Sequence, residues 1–428
     1  MGRKAKMNKK YIKNDLLSDG YYEIDHDSGL KIFVMEKPEY TGAFAMFGTK
    51  YGSIDTCFRL ENEKDFTCVP EGIAHFLEHK LFESEELDAF ELFAKTGANA
   101  NAFTSFDRTC YLFSCSSNFE KSLEILLDFV KKPYFTEQTV QKEQGIIGQE
   151  IRMYQDDPDW QTLFNLLRGL YKNNPVRIDI AGTIESIAEI NAKLLYGCYN
   201  TFYNLSNMAL AVAGNVSAEK VLEIADRVLP KEKKVSFEQI IPTEDESVVT
   251  AYTEEKLGVD ITKFALGFKE SHSTPLRSPK ELACMNLALG IIAGKVSGLY
   301  CRLLEEGLIN QSFGTEYFTG RGFAVPIFTG ESNDPKRVRD EIILEIKRLR
   351  ENGVTDEDFE TVRKRRYGLE VLGFNETENL ANALIDSYFG GFGLFDTVEA
   401  YKTVTKEEVE ETLRTHFDEN NCCLSVVK

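Results

Sequence analysis

The end of this chain restates a segment from its middle at a fixed distance. Thr183-Ile184-Glu185 answers to Thr397-Val398-Glu399, and Thr201-Phe202-Tyr203-Asn204 to Thr415-His416-Phe417-Asp418. Asn207, Leu210 and Val212 answer to Asn421, Leu424 and Val426. Every pair is 214 residues apart (397 less 183), without a gap. A constant offset is the mark of a duplicated unit, and each copy must contain the same elements in the same order. The expected fold class is therefore α+β, with two homologous domains, each a mostly antiparallel sheet packed with helices. The expected division is a basic flexible tail over 1–14, an N-terminal domain over 15–232, a linker over 233–248 and a second copy over 249–428.

Local patterns fill in the first copy. Apolar runs at 22–24, 30–34, 42–48 and 208–214 read as strands, and the amphipathic stretches 84–96, 119–131, 136–155 and 218–229 read as helices. Gly97 stands where a helix stop is wanted, and Pro133 lies just beyond another. The segment 99–114 reads as a turn and then a strand. Residues 230–247 carry two prolines and a Lys-Glu-Lys-Lys run, which suits a linker.

One stretch carries chemistry: Gly72-Ile73-Ala74-His75-Phe76-Leu77-Glu78-His79-Lys80-Leu81-Phe82. On a helix, His75 and His79 stand one turn apart on one face with Glu78 beside them. Two imidazoles and a carboxylate converging on one point are the grouping of a catalytic zinc with an adjacent acid/base, and H-x-x-E-H is the inverted form of the H-E-x-x-H signature. The flanking residues are apolar nearly all round, so this helix is expected to be buried. Downstream, Glu143 and Glu150 are two helical turns apart, and Ile146, Ile147 and Ile151 crowd Glu150. A carboxylate in that setting wants a cation, which makes Glu150 the candidate third ligand of one zinc ion per chain. At the repeat offset, His75, Glu78 and His79 meet Leu289, Ile292 and Ala293, so the second copy carries no metal site.

Composition excludes other classes. A net charge of −19 leaves nothing to neutralise phosphates, which argues against a nucleic-acid partner. Gly320-Arg321-Gly322-Phe323 lacks the third glycine of a dinucleotide fingerprint. The basic N-terminus has no apolar core behind it, and runs such as Leu287 to Ala293 are short for a bilayer. Nine irregularly spaced cysteines without Cys-x-x-Cys fit reduced thiols and a cytoplasmic location, with no membrane partner.

Taken with the repeat, His75-Phe76-Leu77-Glu78-His79, Glu143 to Glu150 and Asn101-Ala102-Phe103-Thr104 resemble the M16 (pitrilysin/insulysin-like) zinc peptidase family in its half-length, processing-peptidase-like form, over nearly the whole chain. The resemblance implies the fold of the processing peptidases, zinc ligation by His75, His79 and Glu150, Glu78 as general base and Glu143 in the outer shell. It implies that Asn101, Ala102, Phe103 and Thr104 receive an extended peptide as an added strand, inside a chamber closed by two such chains. Active members carry an arginine followed about seven residues later by a tyrosine in the second half. Here Leu304 or Glu305 and Asn310 or Gln311 stand in those places, so the pair is missing. The expected partner is therefore a second, related chain that supplies the pair, with a homodimer as the alternative. A non-catalytic binding or assembly subunit is the rival reading.

Overall fold

The computed structural model describes residues 8–85, 87–270 and 276–428. Its strands are β1 (Asn8–Asn14), β2 (Asp19–Asp25), β3 (Lys31–Glu36), β4 (Ala43–Thr49), β5 (Cys57–Leu60), β6 (Thr67–Cys68), β7 (Asn99–Thr104), β8 (Thr109–Cys115), β9 (Met208–Gly214), β10 (Phe237–Gln239), β11 (Tyr252–Glu255), β12 (Lys263–Phe268), β13 (Gly314–Gly320), β14 (Phe323–Glu331) and β15 (Cys422–Val427). The helices that matter most below are α1 (Ile73–Phe82), α2 (Ala89–Thr96), α3 (Phe119–Val130), α4 (Glu137–Gln155) and α5 (Pro158–Leu170).

The chain forms two compact units. The first contains residues 1–149, 179–240 and 373–394, and the second 150–178, 241–372 and 395–428. In the first, seven strands run in the order β1-β2-β3-β9-β4-β8-β7. In the second, five run β11-β15-β12-β14-β13. Setting β3 against β11, β9 against β15, β4 against β12, β8 against β14 and β7 against β13 superposes the two orders. Even the single parallel pair falls in the same place, β3 with β9 and β11 with β15. The repeat seen in the sequence is thus a repeat of α+β topology, with β1 and β2 added to the first copy.

The central strands β4 and β9 are buried throughout because both faces of the sheet are covered. In the first unit, helix Thr377–Gly390 lies across β9 and β4 with Leu380, Ala381, Leu384 and Ile385 turned inward. In the second, α5 lies across β15 and β12 with Phe164, Leu166, Leu167 and Leu170 buried. The contact is close: a Cβ on Gly169 of α5 would come within 2.5 Å of the Cys423 sulfur.

These helices correct the linear division expected from sequence. Residues 150–178 belong with the second sheet, and 373–394 with the first. The physical cause is that α5 buries its apolar stripe on the sheet that follows it in sequence. The stretch 1–14 is not wholly a tail. Asn8–Asn14 pairs with β2 from Asn8↔Asp25 to Asn14↔Asp19, and Lys9 sits 4.0 Å over the Tyr22 ring. Residues 1–7 of that expected tail lie outside the described residues.

The expected linker is structured too. Phe237–Gln239 pairs with β5 in a three-stranded sheet, β10-β5-β6. Further on, Glu244 accepts backbone N–H bonds from Lys172, Asn173 and Asn174 at 2.8, 2.8 and 2.7 Å.

Two further expectations change. Cys57 and Cys68 stand directly opposite each other in β5 and β6 and form a disulfide, so the thiols are not all reduced. Six of the seven free cysteines are buried, as small core residues. By length and composition, Pro279–Glu305 is apolar enough to cross a membrane, contrary to the sequence reading. Yet 67% of its most apolar window is buried, and the stretch folds as two helices, Pro279–Ala293 and Gly298–Glu305, that help form the core of the second unit.

Candidate metal centre

Helix α1 starts at Gly72, whose backbone is left-handed (φ 84°). A side chain there would also meet the Ala181 carbonyl oxygen at 2.3 Å, so only glycine fits on both counts. Ile73, Ala74, Phe76, Leu77, Leu81 and Phe82 wrap the helix and bury it against α3, β7 and β8. Behind it, Phe82 packs on Tyr111 and Phe129 at 5.9 and 5.0 Å. Lys80, wholly buried, is neutralised by an ion pair with Glu83. The helix is thus a rigid mount, which is what a metal site with fixed ligands requires.

The His75 and His79 rings meet edge to face, with centroids 4.6 Å apart and planes at 61°. Helix α4 brings Glu150 to them. The boundary between the units falls at 149/150 within this unbroken helix, so Glu150 is carried by the turns that precede it. One ligand atom from each of His75, His79 and Glu150 lies within 4.8 Å of the other two. Two ring nitrogens and a carboxylate oxygen, converging in this way, make up a donor set that could hold a zinc ion.

Two of the donors, His79 and Glu150, have support of the kind such ligands need. The Glu143 carboxylate lies 3.0 Å from His79 Nδ1, which leaves Nε2 for the metal. Tyr154, one turn beyond Glu150, donates its hydroxyl to Glu150 Oε1 at 2.8 Å. Trp160 stacks on the Tyr154 ring at 4.5 Å. The sequence reading missed the Tyr154 contact, although the i, i+4 spacing from Glu150 was a usable signal.

Glu78 is nearly buried and accepts a hydrogen bond from Thr104 Oγ1 at 2.6 Å. Thr104 ends β7, and β7 is an edge strand of the sheet, paired only with β8 among the described residues. Asn101, Ala102 and Phe103 run along that edge with Asn101 exposed. What reads in sequence as one turn and one strand is a hairpin, β7 and β8. Its turn is held in place, because Arg108 forms a 2.8 Å ion pair with Asp386 and Ser105 accepts from the Ser53 amide at 3.0 Å. Burial raises the Asp386 pKa, while the Arg108 guanidinium opposes that rise. Next in β8, burial pushes the Cys110 thiol up to about 12, so it is neutral and inert. An open cleft of 580 Å³ adjoins Glu78 and His79 and is bounded by α2, β7 and α4.

In the second copy, the positions matching the histidines and Glu78 by offset are Leu289, Ile292 and Ala293, all buried in helix Pro279–Ala293. Where the arginine and tyrosine of active relatives are expected, Leu304 lies on the surface and Asn310 hydrogen-bonds Glu331 at 2.6 Å.

Comparison with known proteins gives this arrangement its family. Residues 67–184 match the family model of insulinase, peptidase family M16, and residues 189–366 match the M16 inactive domain. The chain is 40% identical over 414 residues to a protein of Bacillus subtilis named uncharacterized zinc protease YmfH, covering 95% of this chain and 96% of that one. It matches the crystal structure of an M16-like peptidase from Alicyclobacillus acidocaldarius with a TM-score of 0.91 and 31% identity, over 100% of this chain and 99% of the other. The fold is also that of the periplasmic protease PqqL of Escherichia coli, with a TM-score of 0.76 and 17% identity. There the match covers 98% of this chain but 48% of that one. The chain is a member of the M16 peptidase family, in a half-length form built of two related units.

Proposed function

We propose that this protein is a zinc-dependent endopeptidase that hydrolyses peptides or unfolded segments enclosed in a chamber between two M16 chains. The observation that carries the reading is the convergence of His75, His79 and Glu150 within 4.8 Å, beside a Glu78 held by the sheet edge that would receive substrate. Zinc bound there would polarise the scissile carbonyl and acidify a water molecule. Glu78 takes the proton of the attacking water as the new C–O bond forms, then delivers it to the leaving amine as the C–N bond breaks. Asn101 to Thr104 align the substrate backbone by hydrogen bonding along the open edge of β7. Glu143 holds the tautomer of His79.

The missing arginine and tyrosine support a requirement for a second M16 chain that brings groups to the developing oxyanion. That PqqL is about twice as long and shares this fold accords with a working unit of two such halves. A cytoplasmic location remains part of the proposal. The test is hydrolysis of an unstructured peptide by the purified chain, alone and with a related chain that carries the pair. Turnover should appear with the partner and vanish in Glu78→Gln. Robust turnover by the chain alone would overturn the heterodimer. No turnover with any M16 partner would favour the second reading, a peptide-binding subunit.

A further inference from the structure

Helix α4 carries Glu143 and Glu150, yet its own sequence gives that stretch little rigidity. Gly145 and Gly148 fall between the two carboxylates, and a Cβ at either would meet nothing outside its own helix within 4 Å. Glycine is the weakest helix former after proline, and no close approach requires it here. The placing of this stretch therefore depends on contacts from outside the helix. Gln144 makes one set of them. Its side-chain amide donates to the Ile187, Ala188 and Ile190 carbonyls at 3.2, 3.4 and 3.0 Å, at the end of the short helix α6 (Ile184–Ala188). The start of α6 holds the entry of α1. Ser186 Oγ donates to the Glu71 carbonyl at 2.9 Å and accepts from the Thr183 amide at 2.9 Å, within the box that caps α6. Beside it, backbone meets backbone. Gly182 is left-handed (φ 76°), and a Cβ there would come 2.6 Å from the Glu71 oxygen, just as one on Gly72 would meet the Ala181 oxygen. Ile187 and Ile190 are buried, which fixes the segment to the core of the first unit.

We infer that residues 181–190 are a bracket that sets the spacing of α1 from α4, with Gln144 and Ser186 as positioning residues of the metal centre. Glu71, which Ser186 holds, lies four residues before His75, and Gln144 lies six before Glu150 on one unbroken helix. The histidines and the carboxylate come from separate helices, so their separation is only as fixed as whatever joins those helices. One segment grips both, α1 at its entry and α4 at Gln144. A metal site keeps its affinity only when its donors stay within about 0.5 Å of their places. Cutting either grip lets the donor set spread, although neither Gln144 nor Ser186 offers an atom to the metal. The two grips act in series, so losing both costs little more than losing one. This inference rests on the metal-site reading and is independent of whether the chain hydrolyses peptides.

The experiment uses cobalt(II) as the probe, because it accepts the same donors as zinc and its visible absorption reports their geometry. The metal-free full-length chain is titrated as wild type, Gln144→Met, Ser186→Ala, the double variant and Ser186→Thr. Gln144→Met keeps the length of the side chain and removes the donor, and Ser186→Thr keeps the hydroxyl. Each of the first two variants should bind cobalt about tenfold more weakly, the scale for partners that orient metal ligands from outside. Each should also change the shape and intensity of the cobalt spectrum, while far-ultraviolet circular dichroism stays that of the wild type. The double variant should again lose about tenfold, and Ser186→Thr should restore both affinity and spectrum. A lower melting temperature with unchanged cobalt affinity and spectrum would overturn the bracket, because it would show a merely structural role. Losses that multiply to about a hundredfold in the double variant would also overturn it, since the two residues would then act separately. Wild-type protein that takes up no cobalt would overturn the metal reading, and the bracket with it.

Discussion

Thr104 donates a 2.6 Å hydrogen bond to Glu78 and so ties the proposed catalytic base to the strand that would carry the substrate. Thr104 also lies 3.4 Å from the Thr109 hydroxyl, which in turn donates to the Tyr51 carbonyl at 2.9 Å. The base is therefore referenced to the sheet rather than to its own helix alone. Thr104→Val should lower kcat about 10- to 100-fold, the cost of misplacing a reacting group. Zinc content should stay unchanged, and Thr104→Ser should restore most of the rate. Steady-state kinetics with metal analysis check this, and an unchanged kcat in the valine variant would contradict it.

Glu143 contacts the candidate ligand His79, and through it would act on a bound metal. Replacing it with glutamine weakens the carboxylate–imidazole contact seen at 3.0 Å. Zinc affinity should fall about 10- to 100-fold, as for other outer-shell partners of metal ligands. Competition against a chromogenic chelator measures that shift. Tyr154→Phe should weaken zinc in the same direction, through Glu150.

Gly72→Ala tests whether the mount of α1 is as constrained as its backbone indicates. A left-handed conformation costs a non-glycine residue about 1–2 kcal/mol. The approach of the new Cβ to the Ala181 oxygen at 2.3 Å adds to that cost. The variant should melt several degrees lower and bind zinc more weakly. Wild-type melting and zinc affinity would show that the helix entry yields easily.

Glu244 gives a pH-dependent contribution with a definite sign. Burial alone would raise its pKa, but the Lys172, Asn173 and Asn174 amides and Lys269 outweigh this and lower it from 4.5. A depressed carboxylate pKa stabilises the fold above the unfolded value, and that stability is lost as pH falls through the folded value. Glu244→Gln should cost roughly 1–3 kcal/mol at neutral pH, the scale of weakening hydrogen bonds to a partly buried charged group. Its deficit against wild type should shrink progressively below pH 4.5. Urea titrations across that range check both the size and the direction.

The candidate metal ligands were legible because helical spacing encodes them. His75 and His79 sit one turn apart, and Glu150 stands among isoleucines on a long helix. The duplication was legible because β9 and β15 begin at Met208 and Cys422, 214 residues apart as the offset demands. What escaped notice depends on three-dimensional placement. The apolar stripe of α5 shows that the helix is covered, but not which sheet covers it. Strand β1 reads Asn-Lys-Lys-Tyr-Ile-Lys-Asn and pairs mainly through its backbone, so its composition resembled a tail. The Cys57–Cys68 bond depends on the register of two short strands eleven residues apart in sequence. The hydrogen bond from Thr104 to Glu78 required knowing that the edge strand returns beside α1.

Zinc content per chain, measured by inductively coupled plasma mass spectrometry on the purified protein and three variants, tests the central claim most directly. The account predicts close to one zinc per wild-type chain, the same in Glu78→Gln, and almost none in His75→Ala or Glu150→Gln. Zinc retained at full stoichiometry after loss of Glu150, or absent from the wild-type chain in zinc-replete medium, would contradict it.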